Sequence, residues 1–377
     1  MLSGLSTPIE AHRRGGGLGW SSFIPRWWRP RLSEGDDRAS GNRESQDPVV
    51  AGEEHVVGGD QYQESSGRKK RSLGEAPSWN FEEGTVIAEG RSILKHLGGG
   101  SQYEVYLVWD ERLFALVVAK LLRPDRVESE RDLRDIRREV EVLHQLSHPI
   151  LVRCFGAVFD GPHPHFLLEH LEGPTLRRLI KRHGPLPLEQ LLPLALHLAS
   201  ALHYLAAEQL VHLDVKPSNI VVGMPPRLID LSITRTHEDA ARLHRSIGTD
   251  AYMPPEQCDP AAWPGRIGPA ADVWGLGATL YHAVAGKVPF PRPRGARESE
   301  DPTLRFPQLV AEPEPLPPEV PPLLRDLIFN MLAKDPLQRP TAAESVTTLG
   351  PLVEILPQKL SASRRGGLRA RWGQRMN

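Results

Sequence analysis

Cysteine is scarce in this sequence: Cys154 and Cys258 are the only two among 377 residues. Two thiols cannot build a disulfide framework or a four-thiolate zinc site, and they are typical of a protein in a reducing compartment. An excess of charge of either sign is also lacking, since 46 basic and 47 acidic residues leave a net charge of −1. This balance argues against a protein dedicated to nucleic acids or membrane surfaces, whose basic charge would show in the total. We therefore expect a cytoplasmic protein with no nucleic-acid partner.

Long hydrophobic runs are rare as well. The first 20 residues contain no unbroken apolar run after a positively charged segment, so no signal peptide is expected. The longest uncharged, apolar-rich stretch is 191–207, near the lower limit of about 17 residues for a membrane-spanning helix. It contains His197 and His203 and runs directly into a polar segment. This pattern favours a buried core helix, so we expect no membrane span.

Proline, in contrast, is abundant: 36 prolines are about 10% of the chain, roughly twice the usual share. Residues 1–84 are poor in aliphatic side chains and show neither helical nor strand periodicity. Such a composition buries too little apolar surface to offset the entropy of ordering, so a disordered tail is predicted. Residues 353–377 carry several arginines and no acidic residue after Glu354. They are predicted to form a solvated basic tail, with binding to an anionic partner as the alternative.

Between the tails, over residues 85–352, the periodicity of apolar residues predicts two regions. Five short runs have the pattern of strands: 92–97, 104–109, 114–121, 151–159 and 165–171. One charged helix is predicted over 128–146, where apolar residues recur at helical spacing. Three long apolar helices are predicted after Gly173: 188–209, 270–285 and 322–332. An α+β architecture follows, with a small sheet region plus one helix over 85–171 and a larger helical region over 172–352.

Three consecutive glycines, Gly98, Gly99 and Gly100, lie between the first two predicted strands. Glycine lets the backbone approach phosphate oxygens and point N–H groups at them, although three glycines also form ordinary hairpin turns. Lys120 closes the next apolar strand, where a buried amine needs anionic partners. Glu139, on the charged helix, is a suitable partner. A Lys–Glu pair that holds a lysine against nucleotide phosphates occurs in enzymes of phosphoryl transfer.

The segment HLDVKPSN, residues 212–219, places Asp214, Lys216 and Asn219 in a loop after a long helix. A lone aspartate there would be an ordinary turn former, but these three residues together are unlike a generic turn, and Pro217 prevents a regular helix. Phosphoryl transfer needs a base for the substrate hydroxyl, a cation near the moving phosphate and oxygen ligands for magnesium. Asp230, after a short apolar run, supplies a second oxygen ligand.

Over about residues 93–349 the sequence resembles a eukaryotic-like serine/threonine protein kinase, of the kind also found in bacteria. The motifs follow the family order: the Gly-rich loop, VAK, the helix glutamate, HxDxKPxN, the aspartate of a DFG-like triplet, MPPE, ADVWGLG and an arginine in DPLQRP. The resemblance implies the bilobal protein-kinase fold, with a small N-terminal antiparallel sheet lobe and a larger, mostly helical C-terminal lobe. It also implies transfer of the ATP γ-phosphoryl group, with Mg²⁺, to Ser or Thr hydroxyls of protein substrates.

The resemblance also implies roles for individual residues. Asp214 would be the catalytic base and Lys216 the phosphate-contacting cation, while Asn219 would serve the catalytic loop and, with Asp230, bind magnesium. The implied nucleotide-binding set runs from the Gly-rich loop to the magnesium ligand: Leu97, Gly98, Gly99, Gly100, Ser101, Gln102, Tyr103, Glu104, Val105, Ala119, Lys120 with its partner Glu139, Glu169, Leu171 and Asp230.

Further roles implied by the resemblance concern support and specificity. Leu168 would be the gatekeeper before a hinge, 169–171, that reads adenine by backbone bonds. Glu256 would pair with Arg339 to anchor the activation segment, and Asp272 would hold the catalytic loop. Lys216 and Thr249 are the serine/threonine-type pattern, so we expect Ser/Thr substrates.

Four departures from the family pattern stand out. Tyr103 replaces the third glycine of the loop, and Leu213 replaces the arginine that normally meets an activation-loop phosphate. Ser232 replaces the glycine of the DFG triplet, and MPPE replaces APE. No catalytic side chain is lost, so the hypothesis is an enzyme that is active without a phosphate docked near residue 213. Candidate autophosphorylation sites in the segment are Thr234, Thr236 and Ser246.

Two alternatives remain open from the sequence. A pseudokinase that binds nucleotide as a scaffold is favoured by Tyr103 and Ser232. A small-molecule kinase shares the HxDxxxxN loop, but such enzymes usually lack the MPPE segment and a lysine two residues after the base, and both are present here.

Overall fold

The computed structural model describes residues 77–299 and 301–354. The predictions of a disordered N-terminal tail and a basic C-terminal tail therefore lie outside the described residues, except at 77–84 and 353–354. The first half of the fold contains seven elements: β1 (Val86–Ala88), β2 (Arg91–Gly99), β3 (Tyr103–Asp110), β4 (Ala115–Leu122), α1 (Glu130–Gln145), β5 (Cys154–Val158) and β6 (His165–Glu169).

The second half is mostly helical. Its helices are α2 (Leu176–His183), α3 (Leu188–Ala207), α4 (His237–Ala241), α5 (Pro255–Cys258), α6 (Pro269–Ala285), α7 (Pro302–Arg305), α8 (Pro322–Met331) and α9 (Ala342–Glu354). Its short strands are β7 (Leu210–Val211), β8 (Ile220–Val221), β9 (Arg227–Leu228) and β10 (Arg235–Thr236). The predicted bilobal α+β protein-kinase fold is thus confirmed.

Strands β1 to β6 form one antiparallel sheet in the order β1-β2-β3-β4-β6-β5. Successive side chains of a strand point to opposite faces, so the sheet has two apolar faces. One face carries Ile93, Tyr106 and Leu121. The other carries Val105 and Val118 and packs against α1. The position of a residue in this alternation therefore decides whether its side chain faces α1 and the cleft.

Helix α1 begins after Ser129, whose hydroxyl accepts a hydrogen bond from the Asp132 backbone N–H at 3.2 Å. A cap of this kind satisfies one of the backbone donors left over at a helix start. The buried stripe of the helix includes Ile136, Glu139 and Val140. The predicted helical spacing therefore turns the carboxylate of Glu139 toward the sheet, together with the apolar side chains of this stripe.

The core of the second lobe is built around α3, which packs against α6 and α9. By length and composition, helix α3 is long and apolar enough to cross a membrane. Half of its apolar stretch is buried inside the fold. Leu198, Ala199 and Leu205 of this helix have no exposed surface. It occupies the position predicted for it, that of a core helix.

Several boundaries differ from the prediction. Residues 77–84 are not a disordered extension: Trp79 and Phe81 stack on each other with ring centroids 5.3 Å apart, and Phe81 packs on the sheet. Helix α9 extends to Glu354, two residues past the predicted domain end. Helices α2 and α9 were not predicted. For α9 a signal existed, since Thr341 and Glu344 form the reciprocal capping box that marks helix starts.

Candidate active site

A lysine and two carboxylates meet where the sheet lobe faces the helical lobe. The Nζ of Lys120, on β4, lies 2.8 Å from Oε1 of Glu139 on α1 and 3.1 Å from Oδ1 of Asp230. The lysine and Glu139 are buried, and Asp230 is nearly so. Burial alone would lower the pKa of Lys120, but the charges of Asp230 and Glu139 raise it well above its usual value. The amine is therefore a permanent cation.

Asp230 is held as an anion by the same contacts. Burial would raise the pKa of its carboxyl, but the positive charges of Lys120 and Lys216 hold that pKa well below the ordinary range. The backbone of Asp230 is in the left-handed region, with φ +67°. Such a conformation is uncommon outside glycine and is typical of functional sites.

The catalytic-loop residues converge on the carboxylate of Asp214. Lys216 Nζ lies 2.8 Å from Oδ2, and the Thr249 hydroxyl donates to Oδ1 at 2.8 Å. Lys216 also donates to the Thr249 hydroxyl at 2.7 Å. The amide of Asn219 donates to Oδ2 at 3.2 Å and to the Asp214 carbonyl at 3.0 Å. The carboxylate is thus oriented by three side chains while retaining a small exposed area.

Asp272 of α6 holds this loop from below. Its two oxygens accept the backbone N–H groups of His212 at 2.7 Å and Leu213 at 2.8 Å. Leu213 itself has φ +67°, so the turn before the base is in an uncommon conformation that the two bonds stabilise. The predicted role of Asp272 as the support of the loop matches this geometry.

The two candidate magnesium ligands flank a small hairpin. Strands β8 and β9 pair antiparallel, and the N–H of Ile229 donates to the carbonyl of Asn219 at 2.8 Å. Asn219 therefore lies directly beside the residue that precedes Asp230. Because the amide nitrogen of Asn219 is turned to Asp214, its side-chain oxygen points away from that carboxylate. A carboxylate and an amide oxygen from neighbouring backbone positions are the kind of ligands that suit Mg²⁺, which prefers sparse oxygen ligation shared with substrate phosphates.

An apolar cluster lies between these charged groups and β6. Its side chains come from both lobes and belong to one buried cluster: Leu97, Val105, Val118, Leu168, Val221 and Ile229. Leu168 lies at the predicted gatekeeper position, where it pairs with Val118 across β4 and β6. Side chains of this kind present an apolar surface, which suits a flat aromatic base because the base is apolar on both faces.

Two predicted nucleotide-binding side chains do not face this apolar cluster. Ala119 lies on the opposite face of β4, with Ile93 and Tyr106. Glu104 likewise points away, because its neighbours Tyr103 and Val105 occupy the cleft face of β3. Both assignments are wrong for the side chains. Strand alternation from Lys120 would have indicated Val118 instead.

The predicted hinge follows β6. The backbone N–H of Glu169 donates to the carbonyl of Arg153 at 2.9 Å, and its carboxylate pairs with Arg227 at 3.3 Å. The Glu169 side chain is thus committed to the protein, which leaves backbone groups as the part of 169–171 available for reading a base.

A buried ion pair lies under the activation segment. Both terminal nitrogens of the Arg339 guanidinium donate to the carboxylate of Glu256, at 2.6 and 2.8 Å, and both side chains are 0% exposed. The guanidinium also lies over the Trp274 ring, 4.9 Å from its centroid. The predicted partners therefore meet across 83 positions of sequence.

Comparison with known protein families gives one match. The protein kinase domain model matches residues 91–348. The chain belongs to the protein kinase family.

Three bacterial proteins illustrate the similarity. The probable serine/threonine-protein kinase PkwA of Thermomonospora curvata is 31% identical over 260 residues, which cover 68% of this chain and 33% of the relative. The serine/threonine-protein kinase PknB of Mycobacterium leprae is 31% identical over 267 residues, covering 66% and 40%. PrkC of Bacillus subtilis, also a serine/threonine-protein kinase, is 28% identical over 277 residues, covering 70% and 40%. The chain thus spans 33 to 40% of the length of these relatives.

The Gly-rich loop of the kinase domain is a tight hairpin. Gly100 N–H donates to the carbonyl of Tyr103 at 2.9 Å, and a Cβ on Gly99 would come within 2.5 Å of that same carbonyl oxygen. Gly98 has φ +129°, which disfavours any other residue. Gly98 and Gly99 are therefore required by backbone geometry.

Tyr103, in place of the third glycine, is turned inward. The residue is only 5% exposed, and the centroid of its ring lies 4.6 Å from Lys120 Nζ. Burial, and then the nearby carboxylate of Glu139, raise the pKa of its hydroxyl well above the ordinary value. The ring is a cation–π partner of the kinase lysine and fills space beneath the loop.

The activation segment of the kinase domain contacts both the catalytic loop and α1. Leu213, at the position where the family has an arginine, is buried with Ala240 and Ile267. Arg138 of α1 reaches Asp239 of α4 with 2.7 Å between nitrogen and oxygen. Apolar contacts and the hydrogen bonds of Thr249 therefore connect the segment to the catalytic loop, and one partly exposed ion pair connects it to α1.

The three candidate autophosphorylation sites differ in accessibility. Thr234 is 2% exposed, so its hydroxyl cannot reach another active site in this conformation. Thr236 and Ser246 are exposed, although the Thr236 hydroxyl caps α4 by accepting the Asp239 backbone N–H at 3.1 Å.

Proposed function

We propose that this chain is a serine/threonine protein kinase that transfers the γ-phosphoryl group of ATP, with Mg²⁺, to hydroxyl groups of proteins. The observation that carries the proposal is that Lys120 contacts Asp230 while Asp214 is oriented by Lys216 and Thr249. Phosphoryl transfer depends on positioning and charge neutralisation, and these groups supply both. The names of the bacterial relatives support the same activity.

In this reaction each side chain acts at a definite point. Lys120, held by Glu139, orients the nucleotide phosphates. The apolar cluster that includes Val118 and Leu168 contacts adenine. Asn219 and Asp230 would hold Mg²⁺, which when bound neutralises phosphate charge. Asp214 accepts the proton of the substrate hydroxyl as the new P–O bond forms and the bond from the γ-phosphorus to the bridging oxygen breaks, which releases ADP. The adjacent Lys216 stabilises the charge on the transferred group.

Serine or threonine as the acceptor is supported by the contact between Lys216, Thr249 and Asp214, which matches the serine/threonine-type pattern. A cytoplasmic location is also proposed, on the ground of two free cysteines and a near-neutral charge. The C-terminal basic tail is proposed to be solvated, with an anionic partner as the alternative.

A nucleotide-binding scaffold is the second candidate, because Tyr103 places its ring over Lys120, where phosphates would approach. Such a protein would bind nucleotide in the same pocket without transferring phosphate.

The deciding experiment is phosphoryl transfer by the full chain from labelled ATP to a generic basic protein, with Asp214→Asn as the control. We expect label on serine and threonine, abolished by chelation of Mg²⁺. Equal labelling by the wild type and the control would favour the scaffold. Label on tyrosine would contradict the proposed acceptor, and transfer to small hydroxyl compounds alone would indicate a small-molecule kinase.

Treatment with a protein phosphatase is expected to leave the transfer activity largely intact. The reason is that Leu213 cannot bind a phosphate, while its burial with Ala240 and the Arg138–Asp239 pair already hold the segment. The measurement is initial rate before and after treatment, with mass spectrometry of Thr236 and Ser246 to verify removal of phosphate. Complete loss of activity that returns on preincubation with ATP would contradict the prediction.

A further inference from the structure

Residues 77–81, which precede β1 and which we call the strap, lie against the end of the sheet that carries the Gly-rich loop. The indole N–H of Trp79 donates to the carbonyl of Leu122 at 2.8 Å. Its ring stacks on Phe81 at 5.3 Å and meets the edge of His163 at 4.7 Å. The strap is thus fixed to β4 and to the turn before β6 by both polar and aromatic contacts.

Beneath the strap lies a carboxylate with no exposed surface, that of Glu104. Its oxygens accept the Tyr106 hydroxyl at 2.6 Å, the Trp79 backbone N–H at 3.3 Å and the Arg123 guanidinium at 2.9 Å. A buried carboxylate is costly unless it is paired and hydrogen-bonded, and here every partner is needed. Glu104 therefore holds the strap and Arg123 in one arrangement.

Arg123 connects this arrangement to the loop. Its Nε donates to the carbonyl of Gly100 at 2.6 Å, and its backbone N–H donates to the carbonyl of Gln102 at 3.0 Å. One terminal nitrogen of the same guanidinium reaches both Glu104 and the carbonyl of Pro77, at 2.9 and 3.0 Å. A planar guanidinium has several N–H donors in a fixed geometry. It can therefore bridge the loop carbonyl, the strap carbonyl and the Glu104 carboxylate, which a lysine ammonium cannot reach together.

The Gly-rich loop is flexible because of its composition. Three glycines give the loop many conformations, and nucleotide binding must select the one that covers the phosphates. We propose that Arg123 is a positioning residue which, with Glu104 and the strap, holds the Gly-rich loop in its covering conformation before nucleotide binds, so that ATP affinity depends on it. This inference rests on the proposed function for the identity of the nucleotide.

The proposal also gives the strap a role. A change that detaches the strap would loosen the loop without contact with the nucleotide. Trp79 is accordingly a second positioning residue, acting through Arg123 and Glu104.

The test compares Arg123→Lys and Trp79→Ala with Arg91→Lys in the full chain. Arg91 is a matched control because it pairs with the buried Asp110 at 3.0 Å, with exposures of 14% and 1%, at the other end of β2 and β3. The corresponding exposures for Arg123 and Glu104 are 15% and 0%. A merely structural role would affect all three variants alike.

We expect Arg123→Lys and Trp79→Ala to raise KM for ATP about tenfold, the order expected for loss of a charged hydrogen bond, with little change in KM for the protein substrate. In both variants the dissociation constant of Mg·ADP should rise together with KM for ATP. Amide hydrogen exchange of residues 98–103 should become faster. Arg91→Lys should change none of these. Unchanged nucleotide affinity and exchange in both strap-side variants, or equal changes in Arg91→Lys, would overturn the proposal. Because ADP binding and exchange require no transfer, absence of phosphorylation by the wild type would contradict the proposed function and leave this test decisive.

Discussion

Replacing Asp214 by asparagine should lower kcat by about two to four orders of magnitude, the range contributed by a positioned general base. Asparagine has the same shape but cannot accept the substrate proton, and it leaves Lys216 without the carboxylate that lies 2.8 Å away. KM for ATP should stay close to the wild-type value, because Lys120 and Asp230 bind each other and not Asp214. Steady-state kinetics at saturating protein substrate measures both constants.

The control for this variant is Asp326→Asn, since Asp326 is an exposed carboxylate on α8. It should leave kcat and KM unchanged. Far-ultraviolet circular dichroism and ADP binding would verify that Asp214→Asn is folded and retains its pocket. A variant with kcat within tenfold of wild type would be incompatible with Asp214 as the base.

Replacing Arg339 by methionine should reduce the free energy of unfolding by about 3–5 kcal/mol, as expected when one partner of a buried ion pair is removed. The substitution leaves the fully buried carboxylate of Glu256 without a counterion. It also deprives the carbonyls of Ala270 and Ala333 of donors, at 2.9 and 2.8 Å. Urea unfolding of the full chain, followed by fluorescence, measures the loss.

A double variant separates charge from packing in this site. Glu256→Gln in the Arg339→Met background removes the unpaired charge, so the double variant should be more stable than Arg339→Met alone. Arg325→Met serves as the surface control and should change stability by less than about 0.5 kcal/mol, because Arg325 pairs in an exposed position with its neighbour Asp326. A loss for Arg339→Met no larger than that of the control would contradict the importance of the pair.

Much of the fold was predictable because local pattern and tertiary environment agree. Helix α1 was predicted within two residues at each end, since its apolar spacing and the Ser129 cap both act locally. Helix α2 was missed because eight residues rich in arginine, lysine and histidine resemble a solvated loop, while only Leu176 and Ile180 are buried. The start of the domain was placed too late because the anchoring of Trp79 depends on partners 25 and 43 positions away.

The candidate site was predictable to the level of residue type and order. The identity of Lys120, Glu139, Asp214 and Asp230 follows from motifs whose spacing is constrained by chemistry. The side of the sheet that each neighbour faces was available from strand alternation, and the errors at Ala119 and Glu104 came from treating the loop and strand as a continuous binding segment.

The amino-acid sequence by itself determined which charges this protein has for phosphoryl transfer and where the two lobes divide, because motif order and apolar periodicity are properties of the chain. Only the tertiary structure decided that Tyr103 covers Lys120, that Leu213 replaces a phosphate receptor by apolar contact, and that Arg123 joins the loop to the strap. The physical reason is that these contacts depend on the burial and direction of side chains from distant segments, and neither is encoded in the spacing of any one segment.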